Sequence, residues 1–232
     1  LKNLGIDTTL FPNVDQFTNR TLAYHSHHRS HAAAGYYTSP YDNAAVLVID
    51  SIGEFETLTV WHGEGDKLTK KFSQSYPHSI GLWYSAMTQR IGLKPNEDEY
   101  ILMGWAAIGD PSKYYYDILN DFFEPLEYGS LKVKFKQNLH RGCREWRPDL
   151  NTVQDYADIA AATQSVYEHV FRHLLVETSI LIKSDNIVLM GGCALNCVAN
   201  SIAHKFYDGV WIMPNPGDAG SAIGCVLDHL GT

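Results

Sequence analysis

Ala44-Ala45-Val46-Leu47-Val48-Ile49 runs directly into Asp50-Ser51-Ile52-Gly53-Glu54, and this stretch decides the fold class. Six apolar residues in succession, without polar alternation, describe a strand covered on both faces. That strand delivers Asp50 at its carboxyl end, with Gly53 and Glu54 in the turn that follows. Leu58 to His62 reads as a second strand, and Gly63 and Gly65 turn it towards a third over Leu68 to Phe72. The three make a meander. Just upstream lies the cluster His25-Ser26-His27-His28-Arg29-Ser30-His31, holding four of the chain's eleven histidines. On a helix, His27 and His31 stack on one face, one turn apart. Ala32-Ala33-Ala34 favours that helix, which is expected to end near Gly35. Such a pair is a weak metal motif by itself and suits a merely polar, His-rich helix start equally well. It needs carboxylates to complete it.

Outward from this centre, residues 1–23 carry the turn formers Pro12, Asn13 and Asp15 and read as the tail of an earlier element. Ser79 to Ile91 is expected to be a helix with Ile80, Trp83, Tyr84, Met87 and Ile91 on its apolar face. Asn96 to Tyr100 leads into the run Ile101 to Ala107, Tyr114 to Phe123 forms a further helix, and 124–150 is an irregular connection. The longest helix starts at a capping box, Thr152 with Asp155, and runs to about Ile182. Ile187-Val188-Leu189-Met190 is a second buried strand ending in Gly191-Gly192, and Ala194 to Phe206 is expected to be helical. Val210 to Met213 reads as a third buried strand, and Gly217-Asp218 opens the last helix, Ala219 to Leu230.

At 232 residues and 45% apolar content the chain can bury a substantial core. A formal charge of -8, with no long Lys/Arg run, argues against a nucleic-acid partner or an anionic membrane surface. No run of about 18 apolar residues exists to span a bilayer. The four cysteines, Cys143, Cys193, Cys197 and Cys225, are too sparse for a disulfide scaffold and lack zinc spacing. They read as buried reduced thiols, which implies a reducing, cytoplasmic setting. Leu1-Lys2-Asn3-Leu4-Gly5 shows neither an initiator Met nor a signal-peptide pattern, which suggests a piece of a longer chain or a processed one.

Buried strands alternating with helices imply parallel pairing, and ligands in such sheets bind beyond the strands' carboxyl ends. Three candidate sites lie there: Asp50 with Gly53, Gly191-Gly192, and Gly217-Asp218. Glycine lets backbone approach a phosphate or a base, and a following helix N-terminus favours negative charge. Asp50 and Asp218 also suit simple turn capping, and Gly191-Gly192 an ordinary tight turn. A His pair with two strand-end carboxylates is together the donor set of a hard or borderline divalent ion.

Five motifs in one order carry a family resemblance: His27 to Ala33, Asp50 to Glu54, Asp98-Glu99-Tyr100-Ile101-Leu102-Met103-Gly104, Gly191 to Cys197 and Asn215 to Gly220. Over residues 20–230 the chain resembles the O-carbamoyltransferases of the NodU/CmcH type. The resemblance implies a Kae1-like domain with the α/β actin/Hsp70/sugar-kinase ATPase fold, one lobe nearly complete and the other partial. It implies a reaction in which carbamoyl phosphate and ATP give a carbamoyl-adenylate, whose carbamoyl group passes to a hydroxyl of a small-molecule acceptor. His27, His31 and Asp218 would hold a divalent metal, iron or else Mg or Mn, with Asp50 close to it. Gly53, Glu99, Gly191, Gly192, Asn196 and Gly217 would border the nucleotide, and Asp50 and Glu54 would serve the chemistry.

Two positions depart from the family: Ser51 stands where it carries Gly, and Ile101 where it carries Lys. By resemblance, residues 1–40 are a remnant of the first lobe with the His-rich helix, 41–216 the second lobe, and 217–232 the helix returning to the first lobe. The family's first phosphate loop is expected before residue 1, and its YrdC-like domain, a partner for the chemistry, after residue 232. A second copy, as a homodimer, is a further partner. Two other functions compete: a tRNA threonylcarbamoyl transferase, disfavoured by the acidic charge and the Gly-Cys-Ala-Leu-Asn-Cys motif, and a non-catalytic metal- or nucleotide-binding module.

Overall fold

The computed structural model describes residues 23–231, so the expectation for residues 1–22 lies outside the described part. Strand β1 (Asn43–Gly53) is buried along nearly its whole length, and its residues divide by the two-residue period of a strand. Ala45, Leu47 and Ile49 face one apolar core; Ala44, Val46 and Val48 face another on the opposite side. Strands β2 (Glu56–Glu64) and β3 (Lys67–Ser75) complete the antiparallel meander. Strand β4 (Asn186–Met190) pairs parallel to β1 in the register Ala45↔Ile187 to Val48↔Met190, and β5 (Gly209–Ile212) pairs parallel to β4. The sheet order is β3-β2-β1-β4-β5. β5 is half-buried throughout, because it forms the sheet's edge and has a neighbour on one side only. The expectation of a third fully buried strand is corrected accordingly.

On one face, α2 (Ile80–Arg90), α4 (Tyr115–Phe122) and α5 (Val153–Leu181) bury Trp83, Met87, Ile118, Phe122, Ile159, Val166 and Leu174 with the sheet. The expected capping box of α5 is present: Asp155 N–H donates to the Thr152 hydroxyl (3.1 Å) and Thr152 N–H to the Asp155 carboxylate (3.0 Å). A short helix, α3 (Glu99–Trp105), precedes α4, and 124–150 is largely irregular, as expected.

On the other face lies α1 (His27–Thr38), whose Ala32, Ala33, Ala34 and Tyr36 pack on Val46, Val48, Val188 and Met190. It runs through Gly35 rather than ending there, because a Cβ at that position would sit 2.4 Å from Met190 Cγ: the glycine serves close helix–sheet packing. The stretch expected as one helix from Ala194 to Phe206 is broken into a 3-10 turn (Gly192–Leu195), α6 (Cys197–Asn200) and a second 3-10 turn (Ala203–Lys205). Asn196 causes the break by capping α6: its side chain accepts from Ala199 N–H. The last helix, α7 (Asp218–Leu230), packs on α1, where Arg29 donates to Asp228 from Nε and Nη2, each at 2.7 Å. The four cysteines are free, but only Cys143 is fully buried; Cys197 is exposed, since α6 turns it to solvent. Among the described residues no helix is long and apolar enough to cross a membrane.

The α1–α7 contact yields a direct test. A Cβ on Gly224 would lie 1.8 Å from the Ser30 carbonyl oxygen, a backbone atom that cannot swing aside, whereas Gly104 in α3 faces open space. Gly224→Ala should destabilise the fold by about 1–3 kcal/mol. Gly104→Ala should be neutral or stabilise it by up to about 1 kcal/mol. Urea unfolding of both variants measures the difference.

Candidate metal centre and cleft

Parallel pairing of β1 with β4 puts their carboxyl ends side by side, and the turn into α7 closes on the same place. Gly191 N–H donates to the Pro216 carbonyl (3.0 Å), which ties the β4 end to the segment leading into α7. Gly191 has φ +90°, and a Cβ there would be 2.2 Å from the Ile49 carbonyl oxygen, so only glycine fits. Asp50, nearly buried, accepts at Oδ1 from Ser51 N–H (2.9 Å) and Gly192 N–H (3.3 Å), which aims its second oxygen at α1.

There His27 and His31 project from one face of α1, as their spacing requires. His27 Nε2 lies 3.0 Å from Asp50 Oδ2 and 3.3 Å from Asp218 Oδ1. His31 Nε2 lies 3.0 Å from His27 Nε2, 3.2 Å from Asp218 Oδ1 and 3.6 Å from Asp50 Oδ2. One donor atom from each of the four residues falls within 4.8 Å of all the others. Donors bonded at ~2.1 Å to one centre stand about 3.0 Å apart at right angles and about 3.4 Å apart at tetrahedral angles. Four of these five spacings fall in that range and the His31–Asp50 spacing of 3.6 Å lies just beyond it, and two nitrogens with two carboxylates suit a borderline divalent ion. His31 is wholly buried and its Nδ1 has no partner among the described residues, so its interactions there converge on Nε2. The donor set fits a metal.

The Asp50 hydrogen bond raises the His27 imidazole above its ordinary value against the opposing effect of burial. Burial would raise the Asp50 carboxyl, but the hydrogen bond with His27 and the neighbouring His31 imidazole outweigh it and hold Asp50 well below the carboxylate range. His28 turns away to Thr59 (2.9 Å), and burial pushes it down to about 4, a neutral core histidine.

Beside the four donors opens a cavity of about 530 Å³ bounded by β1, α2, α3 and the turns after β4 and β5. Asp50, Glu99, Gly192, Asn196, Gly217 and Asp218 all line it.

Comparison with known proteins agrees with this architecture. A profile described as the carbamoyltransferase N-terminus matches residues 6–227. The chain belongs to this carbamoyltransferase family. An uncharacterized protein of Synechocystis sp. is 37% identical over 222 residues, covering 89% of this chain and 36% of that protein. Nodulation protein NolNO of Sinorhizobium fredii is 28% identical over 211 residues (89% and 31%), and nodulation protein U of Rhizobium tropici 26% over 254 (91% and 41%). The carbamoyltransferase chain thus spans about a third of the length of the curated relatives it matches. The crystal structure of T. kodakarensis HypF aligns with a TM-score of 0.53 at 13% identity, covering 97% of this chain and 38% of that one, a likeness of fold.

Within the carbamoyltransferase fold, three residues expected near the ligands lie apart from the cavity wall. Gly53 sits against the metal-site helix: a Cβ there would be 2.2 Å from the His27 ring, so its role is to admit that ring. Gly191 is buried beneath the turn rather than facing the cavity. Glu54 stands exposed at the β1–β2 tip with φ +60° and accepts from the Tyr24 hydroxyl, outside the four-residue donor set. Ile101 is half-buried on α3 and does not line the cavity. Tyr84, Ser85 and Asn96, which do, were not singled out by the sequence as site residues. Tyr84 reads there as one more member of an apolar helix stripe; Gly81 and Ser85, within one turn of it on α2, were the available signal.

In the metal-free chain, His27 should titrate above 6.5, and Asp50→Asn should lower it. A raised histidine stabilises the fold below its unfolded value and loses this as pH rises through the folded one. A depressed carboxyl does so above its unfolded value and loses it as pH falls. The pair therefore contributes fully between 3.8 and 6.5. Imidazole NMR titration with thermal melts across that window checks both signs.

Proposed function

We propose that this chain is the metal- and nucleotide-binding part of an O-carbamoyltransferase that uses carbamoyl phosphate and ATP, through a carbamoyl-adenylate, to carbamoylate a hydroxyl of a small-molecule acceptor. The observation that carries the reading is the convergence of His27 and His31 on Asp50 and Asp218, the two members of the set that also line the cavity. These four residues would hold the divalent ion, iron or else Mn or Mg, which when bound offsets phosphate charge and polarises the carbamoyl carbonyl. Gly192, Asn196, Gly217 and Glu99 would border the nucleotide, with backbone N–H groups taking the place of cationic side chains. The acceptor oxygen bonds the carbamoyl carbon, the bond from that carbon to the adenylate oxygen breaks, and AMP leaves. The hydroxyl proton passes to water in the open cleft; of the two carboxylates proposed for the chemistry, Asp50 lines the cavity and Glu54, exposed at the hairpin tip, stands apart from it.

We assign the domain to the actin/Hsp70/sugar-kinase fold. In this assignment 41–216 is one lobe, and α1 and α7 belong to the partial other lobe. A meander followed by two parallel strands, with the cavity at their carboxyl ends, supports it. The complete unit would add a first phosphate loop and a YrdC-like domain, and would work in the cytoplasm, with a homodimer as one assembly. The charge of -8 favours a small-molecule acceptor over tRNA.

Three measurements test this. His31→Ala should weaken Fe(II) or Mn(II) binding by more than about 100-fold, read by calorimetry and metal analysis of the folded protein; unchanged affinity removes the metal assignment. Gly192→Val should weaken ATP-analogue binding while the protein stays folded, since a Cβ there already meets Asp50 Oδ1 at 3.0 Å. Finally, AMP release dependent on ATP and carbamoyl phosphate should be shown by a parent of its relatives' length and not by the 232-residue chain, which spans about a third of that length. Turnover by this chain at the parent's rate would show that it is a complete enzyme.

A further inference from the structure

Behind the cavity-lining residues Tyr84 and Asn196 lies a polar network whose direction is set at both ends. Gln164, on α5 and 5% exposed, donates from Nε2 to Glu168 Oε1 at 3.0 Å. A carboxylate only accepts, so the amide nitrogen of Gln164 must face Glu168 and its Oε1 must face the other way. At the far end Asn196 Oδ1 accepts from Ala199 N–H (3.0 Å), a donor that cannot be reversed, so Asn196 presents Nδ2 to Gln164 Oε1 at 2.9 Å. Tyr84, 6% exposed, gives its single hydroxyl proton to the same Oε1 at 2.8 Å. Burial pushes the Tyr84 phenol up, so it keeps that proton at neutral pH. With the proton committed to Gln164, Tyr84 Oη has only lone pairs to offer the cavity it lines.

We infer that Tyr84 is a specificity-determining residue whose Oη accepts from an N–H donor on the ligand, and that Gln164 and Glu168 are positioning residues that hold it in this polarity. The inference rests on the nucleotide and carbamoyl reading of the cleft. Two groups in that reading carry such a donor, the exocyclic amine of adenine and the carbamoyl nitrogen; both are N–H₂ beside an acceptor. A ligand with oxygen or a methyl group at that point would face Oη without a hydrogen bond, or with two acceptors opposed.

Calorimetry on the 232-residue chain, its fold checked by circular dichroism, separates the sources in two arms: AMP against IMP, and carbamoyl phosphate against acetyl phosphate. In one arm the unmodified chain should prefer the N–H₂ ligand by about tenfold, and Tyr84→Phe should bring the ratio below about twofold, mostly by weakening the N–H₂ ligand. Glu168→Gln leaves Tyr84 in place and replaces the acceptor-only partner of the Gln164 amide, whose Nε2 keeps a second acceptor in Asn196 Oδ1 at 3.1 Å; it should lower the same ratio in part, and a merely structural Glu168 would not move it. The arm that responds names the source. A preference that survives in Tyr84→Phe, or equal affinities within both arms for the unmodified chain, overturns the inference and leaves the cleft reading standing. Failure of the folded chain to bind any of the four ligands overturns the cleft reading and the inference together.

Discussion

Everything at the site depends on the parallel pairing of β1 with β4. Four registered pairs, Ala45↔Ile187 to Val48↔Met190, fix where both strands end. Shifting this register by one residue would exchange the two faces of β1, sending Leu47 and Ile49 to the α1 side. Both faces are dry, but they are shaped differently: small alanines and Gly35 of α1 meet one, and the large side chains of α2 and α5 meet the other. Packing therefore locks the register, and the register sets Gly192 N–H against the Asp50 carboxylate. That bond, with the one from Ser51, leaves the other oxygen of Asp50 free for the histidines.

The same geometry divides the chemistry between two neighbouring regions. On the α1 side lie two imidazoles and two carboxylates, a donor set that suits a divalent cation. On the α2 side lies a cavity whose charged lining residues are Asp50, Glu97, Glu99 and Asp218, all acidic. Among the described residues no lysine or arginine lines the wall, so the positive potential there comes from backbone N–H groups at the strand ends. Glu97 is paired to Lys94 at 2.6 Å on the exposed rim, so part of the acidic lining is already compensated.

The helices contribute by close approach rather than by bulk. Gly53 admits the His27 ring, and Gly224 lets α7 lie on α1 at the level of Ser30. Arg29 then bridges to Asp228 across that contact. Asp218, the first residue of α7, is the most exposed member of the donor set, and its place depends on this docking. The two imidazoles need no such help, since one turn of a single helix carries both.

Local patterns were therefore legible in the sequence. The apolar run of β1, the capping box of α5 and the His27/His31 spacing each rest on residues within a few positions, where geometry follows from helix or strand period alone. The three strand-end turns were legible as candidates for the same reason. Other features were not, because their causes are distant in the chain. Gly35 looks like a helix stop until Met190 and Val188 are set against it, and Val210 to Ile212 looks fully buried until the sheet order leaves it at an edge. Tyr84 looks like core because its ring is core; only Gln164, 80 positions away, and Glu168 beyond it reveal which way its hydroxyl points. The sequence by itself determined which elements form and which side chains could bind a cation, since those depend on short-range periodicity. The tertiary structure alone decided which carboxylates reach the histidines and which polar atoms face the cavity, since hydrogen-bond direction and burial are set by partners from the whole length of the chain.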